Sequence, residues 1–422
     1  MNVLRKTIAT GVDLTYLPAT KFKTGMLSYQ FALPLSADTA SANALMLPVL
    51  FRGSCTLPTM GAISARLDNL YGAYLDYTVR KKGELQTMGL VARFVDDQFT
   101  MGGDKLLEPV ATMMGDLLCD PVTEQGVFLD SYVQGEQRNL LDTIAGIIND
   151  KRSYADVRLL QELCQGEAYG VTRFGTKEGV EALTAATLYE AYRALISTAK
   201  LEVIYCGSTP VERVEAAVVA SLKALPRLDI APLATTTLHT MAETAKTVTE
   251  ALDVTQGKLG MGFTCQNHQD SDAMPLLLGN NMFGGSSNSK LFMNVREKLS
   301  LCYYASSTYH RDKGIITVSS GVEFDKFEAA HSEICAQLEA VSRGEIADWE
   351  WEGARSAVKT AYTALEDSQM SLENFYLSQA ISLRRETPAE LIEQMLGVSR
   401  EQVAQAMSQV ALDTTYFLKG RT

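Results

Sequence analysis

An internal repeat constrains this chain more than any other feature. Displacing the 422-residue sequence by 232 positions aligns Phe31 with Phe263, Phe51 with Phe283, Gly53 with Gly285 and Ser54 with Ser286. The same displacement aligns Leu67 with Leu299 and Tyr71 with Tyr303, and one residue less aligns Lys82-Gly83 with Lys313-Gly314. A near-constant offset held over about fifty residues marks two copies of one folding unit. The length agrees, being too great for one compact core and right for two domains.

Both copies predict the same element order. A half-buried strand opens each, at 25–33 and 258–265, where apolar residues alternate over a short run. Helices follow at 40–51 and 271–283, then at 60–71 and 289–298. Two strands close the motif, at 73–80 and 86–94 in the first half and at 302–309 and 314–322 in the second. The first half continues with helices near 105–118, 123–149, 154–165 and 180–198, and a strand at 201–206. The second half repeats this with helices near 324–341, 347–366, 371–383 and 399–410 and a strand at 414–418. Pro226, Pro232 and the Thr235-Thr236-Thr237 run break both periodicities. They place a linker at 226–247 between an N-terminal domain, 1–225, and a C-terminal domain, 248–422. The fold class is α+β: two homologous domains, each a mainly antiparallel sheet covered by helices.

Charge excludes one class of partner. Fifty acidic residues against thirty-eight basic ones leave a net charge of −12, whereas phosphate binding needs clustered Lys and Arg. Nucleic acid is therefore not an expected partner. No run of about 18 apolar residues offers a membrane span, and residues 1–10 carry Arg5 and Lys6 without the apolar stretch of a secretory leader. Seven scattered cysteines contain no C-x-x-C pair, which fits reduced thiols and a cytoplasmic location.

Chemistry is sparse. The four histidines are His239, His268, His310 and His331, and a hydrolytic zinc site needs about three N or O ligands with an open position. The best local pattern, His331-Ser-Glu333-Ile-Cys335, shares one helix face but lacks a third ligand, and reads more economically as an amphipathic helix. No G-x-S-x-G is present. Phe283-Gly284-Gly285-Ser286-Ser287-Asn288-Ser289 lacks the Lys of a P-loop and reads as a small-residue loop ahead of a helix. Trp349 and Trp351 read as packing and interface residues. The residues supply no complete catalytic site.

The second half carries the most specific segment: Leu277-Leu-Gly-Asn-Asn-Met-Phe-Gly-Gly-Ser-Ser287, Ser289-Lys-Leu-Phe292, Val295-Arg296-Glu297-Lys298-Leu299 and Tyr303. It resembles the glycine-rich loop and Arg-Glu-Lys-x-Leu…Tyr segment of the insulinase, pitrilysin and mitochondrial-processing-peptidase family. The resemblance extends over nearly the whole chain, through the duplication, the Tyr169-Gly170…Gly175 region and the Cys206-Gly207 strand end. It implies a zinc-peptidase fold in which two-domain units face each other. One unit then brings the metal and base, and the C-terminal domain of the other brings an Arg and a Tyr to the substrate.

On that resemblance the zinc motif H-x-x-E-H falls on Ala44, Leu47 and Pro48, none of which binds zinc or accepts a proton. The third ligand, a downstream Glu, falls near Thr143, on the helix bearing Glu136 and Asp142. Arg296 and Tyr303 keep the family's spacing of the substrate-facing pair. The resemblance thus implies a degenerate member, inactive alone, with no metal or cofactor of its own. It would be the non-catalytic subunit of a heterodimer whose sister chain carries H-x-x-E-H and the zinc, with peptides as substrate. Arg296 and Tyr303 would contact the scissile carbonyl, and Gly284, Gly285 and Ser286 would form a loop for substrate entry. The alternative is a catalytically dead binding or scaffold protein of the same fold, homodimeric or part of a larger assembly.

Overall fold

A computed structural model describes residues 3–266 and 268–421. Eight strands occur before residue 210: β1 Leu4–Ala9, β2 Val12–Pro18, β3 Thr24–Pro34, β4 Tyr74–Lys82, β5 Leu85–Val95, the short pair β6 Thr123–Glu124 and β7 Val127–Phe128, and β8 Lys200–Gly207. Five more follow: β9 Lys246–Leu252, β10 Gly257–Cys265, β11 Cys302–His310, β12 Ile315–Val322 and β13 Val410–Gly420. The first sheet runs β1-β2-β8-β3-β5-β4 and the second β11-β12-β10-β13-β9. With β1 set aside, the two orders are one order read from opposite ends. Each sheet is antiparallel except for a single parallel pair, β2 with β8 and β13 with β9, at matching positions. The fold is therefore α+β, built twice from the same topology.

The compact units do not follow the sequence halves. Unit 1 takes the chain up to Ala145, Val171–Thr235 and Ser368–Arg385; unit 2 takes Gly146–Gly170, Thr236–Asp367 and the chain from Glu386. Each unit is completed by a helix from the other half.

In unit 1, β3 is buried on both faces, because helices cover both sides of its sheet. Leu27, Tyr29 and Phe31 point into the larger core with helices Ala40–Leu50 and Leu107–Cys119. Met26 and Ala32 face the other way, against Leu372, Tyr376, Leu377 and Ile381 of helix Gln369–Ile381. That helix is also fixed by polar bonds. Ser28 Oγ donates to Glu373 Oε1 at 2.9 Å, Arg80 to Glu373 Oε2 at 2.7 Å, and Gln369 Nε2 to the carbonyls of Thr24 and Cys206 at 2.8 and 2.9 Å.

Helix Lys151–Leu163 fills the corresponding place in unit 2, packing Ala155 and Leu159 on Tyr416 and Leu418. Two glycines of β10 make room for it. A side chain at Gly260 would stand 3.2 Å from Leu159 Cδ2, and one at Gly262 would stand 2.7 Å from Leu163 Cδ2.

Several local expectations change. Residues 123–128 are the β6–β7 ribbon, turned at Gln125 and Gly126 with φ of 53° and 84°, so the long helix expected from 123 starts at Asp130 and ends at Gly146. The expected helix at 180–198 is two, Lys177–Glu181 and Ala185–Thr198, separated where the Thr184 hydroxyl caps Thr187 N–H at 3.2 Å. Residues 281–285 and 291–298 form wide π-helical turns rather than α-helix. Strands β1, β2 and β9 and helices Val211–Ser221 and Pro388–Leu396 had no counterpart in the sequence reading.

Candidate functional site

Helix Ala40–Leu50 is buried all round, so its sequence carries no amphipathic stripe. Pro48 sits inside it and has no N–H to give the Ala44 carbonyl one turn back. Ala44 and Pro48 line a cavity of about 210 Å³ together with Tyr77, Val79, Glu136, Asn139, Leu140, Thr143 and Phe174. Leu47 of the same helix is fully buried in the core.

The cavity's polar groups are already engaged with one another. Glu136, 8% exposed, accepts from Arg52 NH1 at 3.0 Å and Asn139 Nδ2 at 2.9 Å, one bond to each oxygen. Arg52 in turn lies 5.2 Å from the Tyr132 ring. Thr143 Oγ1 donates to its own helix at the Asn139 carbonyl, 2.8 Å away. Burial, then the charges of Glu136 and Asp76, push the Tyr77 phenol up from its ordinary value, so it stays protonated.

Phe174 reaches the cavity on a loop pressed against the same helix. Gly175 has φ +70°, and a Cβ there would stand 2.0 Å from Ser41 Oγ, so only glycine fits. Zinc does not fit this cavity: Ala44 and Pro48 offer no donor side chains, and the one carboxylate on its wall is held by an arginine.

The Arg–Tyr segment lies in unit 2 and stays at its surface. Its helix closes with a wide turn, Leu299 N–H donating to the Asn294 carbonyl at 3.0 Å. Arg296 is 41% exposed, 3.5 Å from Glu297 Oε1 and 4.6 Å from the Phe292 ring. Tyr303, 58% exposed on the edge strand β11, donates its phenol to Glu323. That bond raises the phenol above its ordinary value.

Gly284 is buried, with Leu291 Cδ1 and Ser307 Oγ both 2.7 Å from where a Cβ would stand. Gly285 is exposed, and Ser286 Oγ donates to the Asn281 carbonyl at 3.1 Å.

The His331 pattern is structural. Its Nε2 meets Thr415 Oγ1 at 3.1 Å, and burial pulls the imidazole down and pushes the Cys335 thiol up. The structure instead gathers Cys164, Glu167 and His239 in unit 2, a grouping the sequence hides because His239 is 75 residues from Cys164 and in an irregular stretch. Tyr77 and Val79 on the cavity wall were legible in principle, since alternate residues of a strand share a face.

The fold is a duplicated α+β chain in which helix Ala40–Leu50, beside the cavity, carries no His, Cys, Asp or Glu. A family model described as the peptidase M16 inactive domain matches residues 182–358. The chain is 31% identical over 412 residues to the probable inactive metalloprotease YmfF of Bacillus subtilis (strain 168), covering 97% of this chain and 96% of that one. It belongs to the M16 family, which includes insulinase, pitrilysin and the mitochondrial processing peptidase, as a degenerate member. An uncharacterized zinc protease of the same organism, YmxG, is 26% identical over 168 residues, 39% of this chain and 40% of that one. A crystal structure of a conserved protein from Enterococcus faecalis V583 superposes with a TM-score of 0.91 at 26% identity, covering 100% of this chain and 99% of that one. No helix among the described residues is long and apolar enough to cross a membrane.

Proposed function

We propose that this chain is the non-catalytic subunit of a heterodimeric M16 peptidase, lending Arg296 and Tyr303 to a zinc site on a sister chain that carries H-x-x-E-H. The contrast between two surfaces carries the reading. Helix Ala40–Leu50 brings no metal donor to its cavity, whose one carboxylate, Glu136, is held by Arg52, while Arg296 and Tyr303 remain exposed beside Glu297 and Glu323. A guanidinium and a protonated phenol on one wall of a cleft stabilise the oxyanion that forms as a peptide carbonyl is attacked. Extended peptides would pair along a sheet edge, with Gly284, Gly285 and Ser286 as the entry loop. One organism holds both a probable inactive relative and a zinc-protease relative of this chain, which supports a pairing of unlike subunits. Seven free thiols support a reducing, cytoplasmic compartment.

The test is turnover of a quenched peptide by the reconstituted complex. Arg296→Ala and Tyr303→Phe should each lower kcat/KM by about 10²- to 10³-fold, with subunit stoichiometry and the sister chain's zinc unchanged. Undiminished turnover in Arg296→Ala would contradict the shared site. A second reading, a catalytically dead peptide-binding or scaffold protein, is favoured by the cavity itself, whose walls of Ala44, Pro48, Val79, Leu140 and Phe174 suit an apolar side chain.

A further inference from the structure

Helix Lys151–Leu163 in unit 2 ends at Cys164, which is fully buried. The chain then turns sharply through Gly166, at φ +83°, and Glu167 N–H donates to the Cys164 carbonyl at 3.1 Å. This turn brings two side chains three residues apart to one point. His239 approaches from a distant part of the sequence, its N–H bonded to the Lys313 carbonyl at 2.9 Å in the turn between β11 and β12. One ligand atom from each of Cys164, Glu167 and His239 lies within 4.8 Å of the others. His239 Nδ1 is 2.6 Å from Glu167 Oε1.

The surroundings orient these three. On the far side of the imidazole, Nε2 is 3.4 Å from Asp413 Oδ2, a carboxylate 1% exposed that also accepts from Ala242 N–H at 2.8 Å. A carboxylate behind the second ring nitrogen is how metal-binding imidazoles are oriented and made more basic. Lys313, fully buried, bonds the other Glu167 oxygen and the Thr237 carbonyl, so that carboxylate turns one oxygen, Oε1, toward His239 and the cluster.

We propose that Cys164, Glu167 and His239 bind a divalent metal of the zinc type, with Asp413 and Lys313 as the positioning groups behind them. One sulfur, one nitrogen and one oxygen donor suit Zn²⁺ among the common divalent ions. Charge closes as well: a dication and Lys313 balance the Cys164 thiolate, Glu167 and Asp413, so no net charge is buried. Glu167 is 27% exposed, and water completes the coordination from that side. Zinc-bound donors stand farther apart than hydrogen-bonded ones, so binding opens the His239–Glu167 contact by roughly 1 Å. The metal fastens the irregular stretch around His239 to unit 2. It is separate from the vestigial motif on helix Ala40–Leu50 and does not depend on a sister chain.

The full-length chain, stripped with a chelator, is titrated with Co²⁺ and then with Zn²⁺. One equivalent of Co²⁺ should give thiolate-to-cobalt charge-transfer absorption with intense tetrahedral visible bands, and Zn²⁺ should abolish both. Cys164→Ser, which keeps the ion pairs, should lose the charge-transfer band while melting like the metal-free wild type. Asp413→Asn should keep the band with affinity reduced about 10- to 100-fold. Absence of the band from the wild type would overturn the proposal. So would a band that survives in Cys164→Ser, because another cysteine would then be the ligand. In either case the cluster is an ion-pair network only.

Discussion

Lys290 and Glu350 form a nearly closed ion pair, with side chains 9% and 5% exposed and Nζ 2.9 and 3.1 Å from the two carboxylate oxygens. Glu350 also accepts from Ala347 N–H at 2.8 Å, which caps helix Asp348–Ala364. The pair anchors one end of the glycine-rich segment, and the tight packing at Gly284 anchors the other. Gly285, Ser287 and Asn288 are exposed between these anchors. Lys290→Met should strand the carboxylate in the interior and cost about 3–5 kcal/mol in chemical denaturation. A loss below 1 kcal/mol would show that Glu350 is hydrated. The sequence made the loop legible through its small residues but not this anchor, because no local spacing joins Lys290 to Glu350. It also treated two tryptophans alike, whereas Trp351 is buried beside Arg355 and Arg400 and Trp349 is 51% exposed.

The exchanged helices set the behaviour of the elements. In unit 2 the tie is Glu250 on β9, which accepts from Tyr154 and Tyr416, each at 2.7 Å, with Arg158 at 3.5 Å. Burial alone would raise this carboxyl, but the two phenols and Arg158 outweigh it and hold it below its ordinary value of 4.5. Its contribution is therefore complete above that value and is lost as pH falls through the lower folded value. Glu250→Gln should be less stable than wild type by about 2 kcal/mol at neutral pH. In denaturation series the gap should close on acidification below 4.5; a gap that widens there would contradict the tie.

Patterning revealed the repeated strands because β3 and β10 have apolar cores flanked by turns. It missed β9, Lys-Thr-Val-Thr-Glu-Ala-Leu, whose alternate residues are only partly buried and which follows a Thr-rich stretch that reads as linker. The exchange itself was not legible, since periodicity marks a helix's apolar face but not the sheet that covers it. The π-helical turns at 281–285 and 291–298 share the composition of α-helix, and only backbone bonding separates them.

For the whole molecule, the exchange makes each sequence half incomplete. A fragment 1–235 would leave Met26, Ile204 and Cys206 without the cover of Leu372, Tyr376 and Leu377. It should aggregate when expressed alone and become soluble with 236–422 supplied as a second chain. A cooperative thermal transition in 1–235 alone would contradict that dependence. Duplication and class were readable because they rest on residue identity along the chain. The cluster at His239 was not, because tertiary structure alone assembles it.

The most direct test of the central claim is native mass spectrometry of the tagged chain expressed from its own promoter, with the partner identified. The account predicts a one-to-one complex with an M16 sister chain bearing H-x-x-E-H, active on unfolded peptides. A monomer or homodimer without such a sister would contradict it and leave a binding protein built on a retired peptidase fold.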